Sequence, residues 1–132
     1  MTFQNPIPVA VTLLPAENGL VVVRRGVAPH AGKLALAGGF IDLGETWQQA
    51  AARELWEETQ IAIHPDTIQL YQVHSAPDGT LLIFGLASPW SGSLPPFTPT
   101  VESSERCIIT APAELAFPLH TQIVRAYFTA LS

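Results

Sequence analysis

Glu54, Glu57 and Glu58 fall within five positions, directly after Arg53, in a chain of 132 residues that has only 11 acidic side chains. Carboxylates at i, i+3 and i+4 share one face of a helix, where a pair such as Glu54 and Glu58 repels by a few tenths of a kcal/mol when exposed, and by more when partly desolvated. Something positive must offset them. Arg53 stands one turn from Glu57 and supplies one charge against three; a divalent cation would supply the rest. Hard oxygen donors, with a single cysteine and no clustered histidines in the chain, favour Mg²⁺ or Mn²⁺ over zinc. On the carboxylates alone, a solvated acidic helix face is the commoner explanation, so the residues that lead into the helix decide the matter.

Thr46 and Gln49 have the spacing of a capping box, which starts the helix at Trp47. From Gln48 to Glu58 there is no glycine, proline or β-branched residue, and Ala50, Ala51 and Ala52 favour helix strongly. At about 100° per residue, Ala51, Ala52, Leu55 and Trp56 share one arc, expected to be buried, and the three glutamates share the adjacent arc. The carboxylates therefore converge at the margin of the buried face. Before the helix, Gly38, Gly39 and Gly44 let main-chain groups approach a ligand or metal closely.

Taken whole, Gly39, five residues, Glu45, seven residues and then Arg53-Glu54-Leu55-Trp56-Glu57-Glu58 resembles the signature of the Nudix hydrolases at nearly every fixed position. Two positions depart from it: Gln60 stands where the family has glycine, and Ala37 where proline is frequent. Glycine after the helix allows positive φ, which costs another residue about 1 kcal/mol, so the loop after Thr59 is expected to be reshaped. The resemblance implies an α/β/α sandwich with a mixed central sheet and a catalytic loop-helix-loop, within a single domain over residues 1–132. It also implies metal-dependent hydrolysis of a nucleoside diphosphate derivative, ADP-ribose or a related small nucleotide.

Carried over position by position, Glu54, Glu57 and Glu58 resemble the metal ligands, joined by the Gly38 carbonyl. Arg53 orients a glutamate, while Gly39, Gly44 and Glu45 shape the loop. Glu54, or an acid outside the motif, accepts the proton of the attacking water; Glu102 and Glu105 are the outside candidates, set against ordinary loop or strand-edge roles. Arg25 is a candidate phosphate contact, Gly39 offers its main chain to the substrate, and Phe40 is one of several aromatics that could stack on a base. Pro77 lies where ADP-ribose-cleaving members have a proline, but a turn there favours proline anyway. Two other readings remain: a catalytically silent nucleotide sensor, for which Gln60 is the one supporting feature, and a diphosphate isomerase, which lone Cys107 in an apolar run fits poorly.

The rest of the chain supplies the frame. Apolar runs from Ile7 to Leu14 and from Leu20 to Arg25 flank an Asn-Gly pair suited to a tight reversal between two doubly covered strands. A second pair, Ile68 to Ser75 and Thr80 to Ala87, flanks Ala76-Pro-Asp-Gly79. Four prolines between Ser88 and Thr100 exclude regular structure there and leave a loop long enough to reach over a site. Leu119, Ile123, Val124, Tyr127, Phe128 and Leu131 form the stripe of a closing helix without chemistry of its own. His30, His64, His74 and His120 share no ligand spacing.

Composition narrows the partners. With 48% hydrophobic residues the chain can bury a real core. A net charge of -5 and six scattered basic residues argue against binding a nucleic-acid polymer. Cys107 is the one cysteine, expected to be a buried, inert thiol. The first residues lack a basic region followed by an apolar stretch, and no apolar run approaches the ~20 residues that span a bilayer. A cytoplasmic protein that avoids membranes is the expectation; an exposed apolar edge or Trp90 could serve a homodimer.

Overall fold

The computed structural model describes residues 5–131; the reading of the N-terminal segment falls in part on residues 1–4, outside that range. In chain order the described elements are β1 (Ile7–Leu13), β2 (Pro15–Ala16), β3 (Gly19–Arg25), β4 (Leu34–Ala35), β5 (Ala37–Phe40), α1 (Trp47–Thr59), a 3-10 turn (Pro65–Thr67), β6 (Ile68–Ser75), β7 (Thr80–Ala87), β8 (Ser103–Ile109) and α2 (Pro118–Ala130). One sheet runs β5-β1-β7-β6, with β1 and β7 parallel and the other pairs antiparallel. The second is built on β3, which pairs antiparallel with β8 and with the short β2 and β4.

The two helices cover opposite sides of these sheets. Ala50, Ala51, Ala52 and Leu55 of α1 pack with Ala10 and Leu14, Val21 and Ala37. Ile123 and Val124 of α2 pack with Val11, Leu13, Leu20, Val22 and Phe84. Successive residues of β1 and β3 thus alternate between the two cores, as strands covered on both faces must. The α/β/α arrangement with a mixed sheet follows directly.

The first predicted hairpin is different in kind. The turn is there: Glu17 and Asn18 both take positive φ, 49° and 66°, as a two-residue reversal requires. It joins only β2 to β3, however. β1 leaves the reversal at Leu14 and enters the other sheet between β5 and β7, because a strand apolar on both faces is best placed at the centre of a sheet. The second predicted pair forms the β6–β7 hairpin at the expected bounds.

Both helices depart from expectation only at their rims. Trp56, placed on the buried arc, is 52% exposed, because that arc centres between Ala51 and Leu55 and Trp56 lies a full residue step beyond. Leu131, the last member of the closing stripe, lies past the end of α2 and is exposed. Cys107 is half-buried in β8 and donates to Glu105 at 3.2 Å, so it is less enclosed than its apolar run suggested. Among the described residues, no helix is long and apolar enough to cross a membrane.

Candidate active site

Helix α1 holds the carboxylates, and both of its ends are capped. Thr46 accepts from the Gln49 N–H and the Gln49 side chain accepts from the Thr46 N–H, closing the expected capping box. At the other end Gln60 takes φ 62°, ψ 26° and donates its N–H to the Trp56 carbonyl. The chain therefore leaves the helix in the left-handed conformation that a glycine would adopt, and the expected reshaping does not occur. On the inner side, Thr12 of β1 donates to the Ala51 carbonyl and ties the helix to the central strand.

Arg53 is the hub of the site. Its Nε and Nη2 donate to the two oxygens of Glu45 at 2.7 and 2.9 Å, a bidentate pair. Nη1 donates to Glu54 at 2.9 Å and to both oxygens of Glu57 at 3.3 Å, while Nη2 also reaches the Phe40 carbonyl. Asp42 adds a longer ion pair at 3.5 Å. One guanidinium thus orients two glutamates of the helix and fixes the loop before it. The Arg53 hydrogen bonds hold the Glu45 carboxyl down to about 2, helped by the Asp42 N–H. Both Glu45 oxygens are engaged, by Arg53 and by the Asp42 N–H. Asp42 was not singled out in the sequence, since its part depends on how the loop turns at Gly44, where φ is 91°.

The double glycine lets the backbone meet the carboxylates. A Cβ on Gly39 would lie 2.4–2.6 Å from the carboxyl atoms of Glu54, and one on Gly38 would strike the Ala10 carbonyl of β1 at 2.7 Å. A side chain at Gly38 would clash with fixed backbone, and one at Gly39 would have to displace the Glu54 carboxyl. The Gly38 N–H donates to Glu58 at 3.3 Å. Burial, and then the adjoining Glu54 carboxyl, push Glu58 up to about 9 against this bond. Glu57, by contrast, is half-exposed, and Glu54 only 16% exposed.

Hard oxygen donors, one of them a carboxyl whose burial disfavours charge unless a cation stands beside it, fit a divalent metal such as Mg²⁺ or Mn²⁺. As the side chains stand, no three or more His, Cys, Asp or Glu among the described residues are gathered closely enough to hold a metal ion, and Glu54 and Glu57 are bonded to Arg53.

The outer residues divide. Glu102 stands near enough for its charge to be felt at Glu58, and its carbonyl accepts from the Gly26 N–H at 2.9 Å. Glu105 is turned to Arg24 at 2.9 Å and to Cys107, partners that lie outside the carboxylate cluster. Arg25 donates to the Pro29 carbonyl and lies over the Phe117 ring at 5.1 Å. Phe40 is 61% exposed beside the cluster. His120 is buried, accepts from the Leu36 N–H, and is pushed down to about 4 by burial, which makes it a neutral structural residue.

Residues 5–130 match the NUDIX domain family model. The chain belongs to the NUDIX family. Among curated proteins, this NUDIX domain is 36% identical over 66 residues to an ADP-ribose pyrophosphatase of Methanocaldococcus jannaschii, an alignment covering 50% of the chain and 38% of that protein. It is 35% identical over 91 residues to an 8-oxo-dGTP diphosphatase of Escherichia coli, covering 65% and 69%. The chain thus spans well under half the length of the first relative. Among solved structures, a NUDIX hydrolase from Nitrosomonas europaea superposes with TM-score 0.82 at 28% identity, over 97% of this chain and 73% of that one. The bifunctional NMN adenylyltransferase/ADP ribose pyrophosphatase of Francisella tularensis, solved with AMP and a Mn ion, shares the fold with TM-score 0.79 at 24% identity, over 100% of this chain and 44% of that one.

Proposed function

We propose that this NUDIX domain hydrolyses the phosphoric anhydride of a small nucleoside diphosphate derivative, ADP-ribose or a related nucleotide, with Mg²⁺ or Mn²⁺ as cofactor. The observation that carries the reading is the Arg53 hub, which aims Glu54 and Glu57 while Glu58 lies buried against Gly38. Glu54, Glu57 and Glu58 are the side chains that would hold the cation, with the Gly38 carbonyl beside them. When bound, it would reverse the sign of an acidic face that otherwise repels a diphosphate, and stabilise charge on the leaving oxygen.

The chain's own groups do the remaining work. Arg53 holds Glu54 and Glu57 on one side of the helix, within reach of a cation that would share them with the guanidinium. Glu54 or Glu102 accepts the proton of the attacking water; Glu102 is the better outside acid, because Glu105 is engaged by Arg24. Arg25, braced by Pro29 and Phe117, is the phosphate contact, and exposed Phe40 is available to a base. The two curated relatives, an ADP-ribose pyrophosphatase and an 8-oxo-dGTP diphosphatase, support the substrate class. Gln60 keeps the conformation of a glycine and so lends no weight to a silent sensor.

The test is a chromatographic screen for nucleoside monophosphate products with Mg²⁺ and Mn²⁺ against ADP-ribose, NADH, dinucleoside polyphosphates and nucleoside triphosphates, run beside Glu57→Gln and Glu58→Gln. Turnover of one compound by the wild type and its loss in both variants is the expected result. Equal inertness of all three proteins, with metal and nucleotide still bound by the wild type, would replace the hydrolase with a sensor.

A further inference from the structure

Gln60 does more than tolerate a glycine position. Its side-chain Nε2 donates to the Thr98 carbonyl at 2.7 Å, and its Oε1 accepts from the Thr98 N–H at 2.8 Å. The carboxamide therefore pairs with the main chain of Thr98 as a neighbouring strand would, which needs no particular side chain at position 98. A glycine could not make either bond. Arg106 of β8 completes the clamp: it donates to the Thr59 carbonyl at 2.8 Å, bonds the Pro95 carbonyl, and lies over the Phe97 ring at 5.5 Å. The proline-rich segment 88–100, which has no regular structure, is thus fastened at Pro95, Phe97 and Thr98 to the end of the helix that bears Glu57 and Glu58.

The fastened segment runs straight into Glu102. Thr100 and Ser103 close a turn around it through Thr100 N–H to the Ser103 carbonyl and Ser103 N–H to the Thr100 hydroxyl. Gly26 packs against it so closely that a Cβ there would lie 2.1 Å from the Val101 carbonyl oxygen. The main chain that carries Glu102 is therefore held on one side by Gly26 and reached on the other from the clamp at Thr98, while its side chain is exposed. We propose that Gln60 is a positioning residue: by pinning Thr98 to the end of α1 it fixes where Glu102 stands relative to Glu54, Glu57 and Glu58. The proposal rests on the hydrolase reading for its consequence in turnover, and on geometry alone for the clamp.

The experiment compares the wild type with Gln60→Gly, a substitution that suits the left-handed backbone and removes only the side-chain bonds. NMR-detected hydrogen exchange is followed at the Thr98 amide, which Gln60 holds, and at the Gly26 amide, which holds Glu102. Both are expected to exchange about tenfold faster or more in Gln60→Gly, with the α2 amides unchanged. In turnover, kcat should fall about tenfold with KM little changed, and the loss should vanish in a Glu102→Gln background, where there is no acid left to position.

Unchanged exchange at Thr98 overturns the clamp. Faster exchange at Thr98 with Gly26 unaffected, or a loss of kcat that persists undiminished beside Glu102→Gln, overturns the positioning role. If the wild type cleaves no phosphoanhydride, the functional reading fails, while the two amides still decide whether Gln60 holds Glu102 in place.

Discussion

At Gly39, a single hydrogen atom in place of a methyl group is what admits the Glu54 carboxyl to the backbone of β5. Gly39→Ala should displace that carboxyl and lower turnover by about a hundredfold, since a misplacement of the order of 1 Å suffices for such a loss. Circular dichroism should stay unchanged, and a Mn²⁺ titration should show the weakened site. Glu58 makes a prediction about pH. Its folded value is raised from 4.5 to about 9, so its contribution to stability is fully present below 4.5 and is lost as the pH rises through about 9. The Tm of the metal-free protein in chelator should therefore decline over that window, and Glu58→Gln should flatten the decline. A Tm that rises over the same range in the wild type would contradict the burial of Glu58. At this scale the sequence was informative: Arg53 and Glu45 stood out through the motif and do pair. Asp42 did not, because its contact with Arg53 depends on the turn at Gly44 and leaves no spacing to read.

The helix that carries the site depends on its caps and its alanines. Thr46→Ala removes the side-chain half of the capping box, and should cost about 1 kcal/mol and lower Tm by about 3–6 °C in thermal denaturation. Leu55 is buried against the central strands, so Leu55→Ala should cost about 2–5 kcal/mol in urea unfolding. The start of α1 was legible because capping is local chemistry between Thr46 and Gln49, and the β6–β7 hairpin was legible for the same reason. Strand partners were not. The Asn-Gly signal correctly marked a reversal, but nothing local says that β1 abandons it at Leu14 for a place between β5 and β7. Nor could the sequence show that Gln60 reaches across to Thr98, a contact between residues far apart in the chain.

Across the whole molecule, two cores on opposite sides of the sheets hold the fold together without help from the carboxylate cluster. Chelators should accordingly leave the protein folded. Mg²⁺ at about a hundred times its dissociation constant should raise stability by about 2.7 kcal/mol, visible as a higher Tm in the wild type and absent in Glu57→Gln. The fold class was readable from the motif and the pattern of apolar runs; the division into two sheets was not, because it is decided by pairings such as Ile7 with Thr80 and Val22 with Cys107. The parallel pairing of β1 with β7 also bears on how the protein is made. Every residue of the motif has been synthesised before β7 begins at Thr80, yet Gly38 and Gly39 are held in place by β1, whose other neighbour is β7. A nascent chain that stops at residue 79 would carry the complete signature and no finished sheet to display it, so the site becomes competent only late in translation, when the central strand arrives.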